Sequence, residues 1–139
     1  MFAACDGNAR LLLVDLDRMR VTAAYRVGRS PDALAFDLGL GRLYVGSESG
    51  TVTVFAERAG RLVRLGAGVM PHAHAVAVDP RTHLVYLPLE REAGRPVLRV
   101  MAPTPGPGEG VTGNGRAMLA MQWRSPGPVA SLERCAAAR

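Results

Sequence analysis

A self-similarity of 42 residues runs through this chain and limits what it can fold into. Tyr44-Val45-Gly46-Ser47-Glu48 aligns with Phe2-Ala3-Ala4-Cys5-Asp6 one period earlier and with Tyr86-Leu87-Pro88-Leu89-Glu90 one period later. An aromatic residue, an apolar residue, two variable positions and a carboxylate recur without a gap, and Asp37 and Asp79 keep the same spacing. A unit of this length built from short strands cannot bury its faces alone. It must stack on its neighbours, and a period in the low forties is the mark of a β-propeller blade.

Within the central unit, residues 33–37, 43–45, 52–55 and 62–65 are rich in apolar and β-branched residues, with turn residues at Gly39, Gly41, Ser49-Gly50 and Gly60 between them. They predict four strands, A to D, of one antiparallel blade. Upstream, residues 2–5, 11–16 and 21–27 predict strands B, C and D of a preceding blade. Downstream, residues 73–79, 84–87 and 97–101 predict A, B and C of a following one. The fold class is therefore all-β, with four-stranded propeller blades present in an incomplete set of about two and a half. Leu34 and Phe36 fall on one face of strand A and Ala33 and Ala35 on the other, as do Val76 and Val78 against Ala75 and Ala77. One bulky face and one small face suit sheets that stack on like sheets. Residues 1–102 are read as the propeller part. From Pro103 the Pro/Gly-rich composition and the loss of the repeat predict a disordered or loosely attached tail over 103–139 without specific function; the alternative is a partner-docking patch of Trp123, Met118, Leu119 and Met121.

The net charge of +5 would suit an acidic partner, but all 17 basic residues are arginines scattered along the chain, with no lysine present. That pattern reads as GC-rich coding and solvated blade edges rather than a nucleic-acid footprint. Cys5 and Cys135 are too far apart to suggest a metal motif or disulfide framework. No run of 18 apolar residues predicts a membrane helix, and Asp6 falls where a signal peptide would be apolar.

Tyr44-Val45-Gly46-Ser47 followed by Thr51-Val52-Thr53-Val54-Phe55 resembles the YVTN-type, YncE-like β-propeller repeat over roughly residues 1–102. Leu13-Val14-Asp15-Leu16 resembles its strand C, residues 31–37 the start of its strand A, and Asp79-Pro80 its turn between A and B. Neither Gly46-Ser47 nor Pro88-Leu89 keeps the Thr-Asn half of the motif. The repeat runs from strand B to strand C, and the resemblance implies the C-terminal part of a longer propeller of about seven blades. The rival expectation is several copies closing one ring. Proteins of this family are often periplasmic or secreted; localisation stays open.

Propeller topology brings the D–A and B–C loops to one face of the disc. Asp6, Glu48 and Glu90 open B–C loops, and Asp32, His72 and His74 lie at the starts of strands A, so all six are candidate ligand-binding residues at one axial face. His72 and His74 share one side of an extended strand. A stable metal site needs a third ligand, so no metal, cofactor or catalytic residue is assigned. Asp37 and Asp79 are read as structural turn residues, and His83 as a turn residue on the opposite face. The expected function is a non-catalytic module for a protein or small-molecule ligand. One alternative is a lactonase-like or metal-dependent hydrolase, which the resemblance admits. The other is single-stranded nucleic-acid binding, for which few aromatic stacking candidates are present.

Overall fold

Each repeat folds into its own antiparallel sheet in the computed structural model, which describes residues 1–71, 73 and 75–104. The first sheet is β1 (Phe2–Cys5), β2 (Arg10–Asp15) and β3 (Arg20–Arg26). The second is β4 (Pro31–Asp37), β5 (Arg42–Ser47), β6 (Thr51–Arg58) and β7 (Arg61–Val69). The third is β8 (Ala77–Val78), β9 (Val85–Glu92) and β10 (Arg95–Met101). Strands are joined in sequence order within each sheet. The expected phase holds: B, C, D, then A to D, then A, B, C.

The sheets stack through one interface used twice. Leu34, Phe36, Leu43 and Val45 of the second sheet pack with Phe2, Leu11 and Tyr25 of the first. Their period-mates Val76, Val78, Val85 and Leu87 in the third sheet pack with Tyr44, Val52 and Val54 of the second. Ala33 and Ala35 leave room for this second contact, as the small face of strand A predicts. Position 46 is equally tight: a Cβ on Gly46 would sit 3.4 Å from Ala33 Cβ and 3.7 Å from Val76 Cγ1. Burial of each large apolar side chain contributes about 1.5–3 kcal/mol, and these two layers supply most of the apolar burial. Aromatic pairs reinforce the first layer, with Phe2 and Phe36 rings 5.6 Å apart and Tyr25 and Phe55 rings 5.5 Å apart.

Two elements differ from expectation. Strand A of the third sheet is expected over 73–79, but only Ala77 and Val78 form a ladder, with an isolated bridge from Ala73 to Leu89. Pro88 explains the gap. It is the period-mate of Gly46, in a row where Glu48 turns its N–H towards the strand A side, to Ser30 O at 2.9 Å. A proline there has no N–H to give. The other difference is the β9–β10 hairpin. Tyr44 pairs with Val54, ten residues on, whereas Tyr86 pairs with Val100, fourteen residues on. Four extra residues lengthen this hairpin and move its turn to Ala93-Gly94, where both φ values are positive, 51° and 85°, as the commonest two-residue hairpin turn requires.

Candidate binding face at the loops between blades

The D–A and B–C loops meet at one end of the second sheet through backbone hydrogen bonds. Glu48 N–H donates to Ser30 O at 2.9 Å and Ser49 N–H to Arg29 O at 3.3 Å. Gly28 sits beneath this junction, where a Cβ would come within 2.6 Å of Ser47 Oγ and 2.9 Å of Thr51 Cβ. The next D–A loop leaves the same B–C turn, where Met70 N–H donates to Gly50 O at 2.7 Å and extends the β6–β7 pairing by one row.

Asp32 and Glu48 lie at this end. In β4, Pro31 pairs with Ser47 and Ala33 with Gly46, so Asp32 is the extra residue of a β-bulge and is exposed. Bulges re-aim a side chain in this way. Asp6 begins a 3-10 turn, Asp6–Asn8, between β1 and β2, and is exposed. Asp6, Asp32 and Glu48 make no side-chain hydrogen bond or ion pair among the described residues. Glu90 does not open its loop. The longer hairpin leaves it exposed inside β9, so the expected recurrence of loop carboxylates stops at two sheets. His72 and His74 lie outside the described residues.

At the opposite end the turns take up the carboxylates other than Asp17, which is exposed and makes no side-chain bond among the described residues. Asp37 is fully buried; its Oδ1 accepts Gly39 N–H at 2.9 Å and Leu40 N–H at 3.2 Å. Its Oδ2 lies 2.8 Å from His83 Nδ1 in the next sheet. Asp79 accepts Arg81 N–H at 2.9 Å and the Thr82 hydroxyl at 2.8 Å. Asp15 accepts the Arg18 guanidinium at 2.9 Å and the N–H groups of Asp17 and Arg18 at 3.1 Å. Glu57, one period after Asp15, accepts Gly60 N–H at 2.6 Å. The recurrence of Asp15 at Glu57 was a readable signal that the sequence reading missed.

These bonds hold two carboxyl groups below their ordinary pKa. The backbone N–H of Arg81, then the Thr82 hydroxyl, lowers Asp79; the Arg18 side chain, then its N–H, lowers Asp15. A carboxyl with a depressed folded pKa contributes stability that is fully present above its unfolded value, about 4, and is lost as pH falls through the folded one. In denaturation measured from pH 7 to 2, Asp79→Asn and Asp15→Asn should each flatten the acid limb. An unchanged slope in both variants would refute this assignment.

Among the described residues, no three His, Cys, Asp or Glu side chains are arranged to hold a metal, and no helix is long and apolar enough to cross a membrane. The three stacked antiparallel sheets are blades of a β-propeller, in an unclosed set. Hydrazine synthase of Kuenenia stuttgartiensis has a similar structure, with a TM-score of 0.60 and 18% identity over 73% of this chain and 28% of that one. A protein of Lactobacillus plantarum solved by a structural genomics consortium aligns with a TM-score of 0.49 and 19% identity, over 68% of this chain and 29% of that one. The second likeness is too weak to argue from, and the first speaks to the fold alone. This chain spans 28% of the hydrazine synthase chain's length. No protein-family model matches the chain, and no curated protein matches it.

Proposed function

We propose that this chain is a non-catalytic β-propeller module of the YVTN type that binds a ligand at the face where the D–A and B–C loops meet. One contrast supports this reading. At the turn end, Asp15, Asp37, Glu57 and Asp79 are engaged by their own turns or by the neighbouring sheet and, among the described residues, Asp17 alone is left uncommitted, whereas at the loop end Asp6, Asp32 and Glu48 are all exposed and uncommitted. Carboxylates that do not stabilise the fold remain available to a partner, and they favour cations and hydrogen-bond donors. His72, His74 and Glu90 complete the proposed set. Blades beyond these three, from further sequence or from other copies, would complete the ring around it.

Thermal unfolding of the full chain against a panel of amines, amino acids and short basic peptides tests the reading, because a ligand of the native state raises the midpoint. The double variant Asp32→Ala/Glu48→Ala should keep its unliganded stability within about 0.5 kcal/mol, as substitutions at exposed positions do. It should lose the ligand-induced shift. A shift that survives in the double variant would remove these residues from the site. Lactone hydrolysis abolished by His72→Ala would replace this reading with the hydrolase alternative.

A further inference from the structure

Two sheet faces of this chain are not covered by another sheet among the described residues, and they correspond to parts of the two halves of the interface that joins its own sheets. The incoming half in the second sheet is Leu34, Phe36, Leu43 and Val45, packed against the first sheet; among the described residues the first sheet has no strand A, so only Leu43 and Val45 have counterparts there. Their period-mates, Met1 and Ala3, lie on the first sheet's outer face with Val14 and Leu12 opposite them. Met1 is 58% exposed, and Ala3, Leu12 and Val14 are half-buried. The receiving half in the second sheet is Ala33, Ala35 and Tyr44, covered by the third sheet. Of its period-mates, Ala77 and Tyr86 pair on the third sheet's outer face, Ala77 exposed and Tyr86 half-buried, and Ala75 is exposed just before β8. The rows at the loop end carry opposite charge: Arg10 and Arg26 beside Cys5 on the first face, Glu90 on the second.

We infer that the outer face of the third sheet stacks on the outer face of the first sheet in a second copy of this chain. The contact continues the interface the chain already uses twice. It is head-to-tail, so it closes a ring when the rotation allows. Two copies bring together six sheets, four of them three-stranded, a number inside the range of about four to eight in which propellers close. The inference rests on the fold and not on the ligand, so the ligand experiment and the one below fail independently.

Light scattering coupled to size-exclusion chromatography of the full chain should give about twice the 14.7 kDa of one chain. Leu12→Arg damages one half of the contact and Ala77→Arg the other. Each variant alone should elute as a single chain while keeping the wild-type circular dichroism spectrum. A mixture of the two retains one intact pair of faces and should recover a two-chain species, which neither misfolding nor a symmetric face-to-face dimer would produce. Cys5, a free cysteine on the first face, should be slower to alkylate at concentrations where wild type associates, in a Cys135→Ser background. A wild-type chain of single mass at every concentration would overturn the inference and leave these faces to blades from further sequence or from a different chain. So would association that both substitutions leave intact, or a mixture that stays monomeric.

Discussion

Phe55→Ala is expected to destabilise the folded chain by about 3–5 kcal/mol. Phe55 is fully buried, pairs across the sheet with Leu43, and meets Tyr25 of the first sheet ring to ring at an interplanar angle of 63°. It shares one cluster with Leu11, Val45 and Leu62, so truncation opens a cavity at the junction of two sheets. A domain's whole stability is about 5–15 kcal/mol, so most of the native population is at risk. Urea denaturation measures the loss directly. Phe55→Leu, which keeps most of the volume, should lose far less. Val63→Ala, at a position 51% exposed, should stay within about 0.5 kcal/mol. A loss below about 1 kcal/mol for Phe55→Ala would mean the sheets are not joined through this layer.

The second large effect falls at Asp37. Asp37→Ala removes the acceptor of two turn N–H groups and the contact with His83, and should cost about 3 kcal/mol, since hydrogen bonds to a charged group contribute about 1.5–3 kcal/mol. His83 explains why the pair matters. It adopts φ 61° at the position one period after Gly41, whose φ is 58°. The turn demands a left-handed residue, which glycine supplies freely and histidine at a cost of about 1–2 kcal/mol. The contact with Asp37 offsets that cost and staples the third sheet to the second. His83→Ala loses the contact and keeps the strained backbone; His83→Gly loses the contact and relieves it. His83→Gly should therefore be the more stable of the two by about 1 kcal/mol. Equal denaturation midpoints would dispose of the strain argument.

The phase of the strands was legible in the sequence because two periodicities coincide. Alternation of two within strand A separates Leu34 and Phe36 from Ala33 and Ala35, and the period of 42 carries the same faces to Val76 and Val78. Both are local or repetitive patterns, readable without knowing what touches what. The Asp37–His83 pair was not legible, although both residues were placed in turns. It joins groups 46 residues apart, and only stacking brings them within 2.8 Å. The place of Glu90 was misread because four residues are inserted after the motif that aligns it, and an ungapped repeat cannot show an insertion beyond its last match. The shortened β8 had a visible cause in Pro88, but its weight depends on which neighbour each N–H of β9 faces, and that follows from pairing.

The amino-acid sequence by itself determined the blade unit, the order of its strands and the large and small faces that let one unit stack on the next. Those follow from alternation, turn residues and repetition along the chain. The tertiary structure decided what each of the repeated carboxylates bonds to. The sequence already set Asp37 and Asp79 apart from Asp32 and Glu48 as turn residues, but not the groups that hold them. Only the folded chain supplies those, because a carboxylate's partners depend on which N–H groups and neighbouring sheets lie within hydrogen-bond reach.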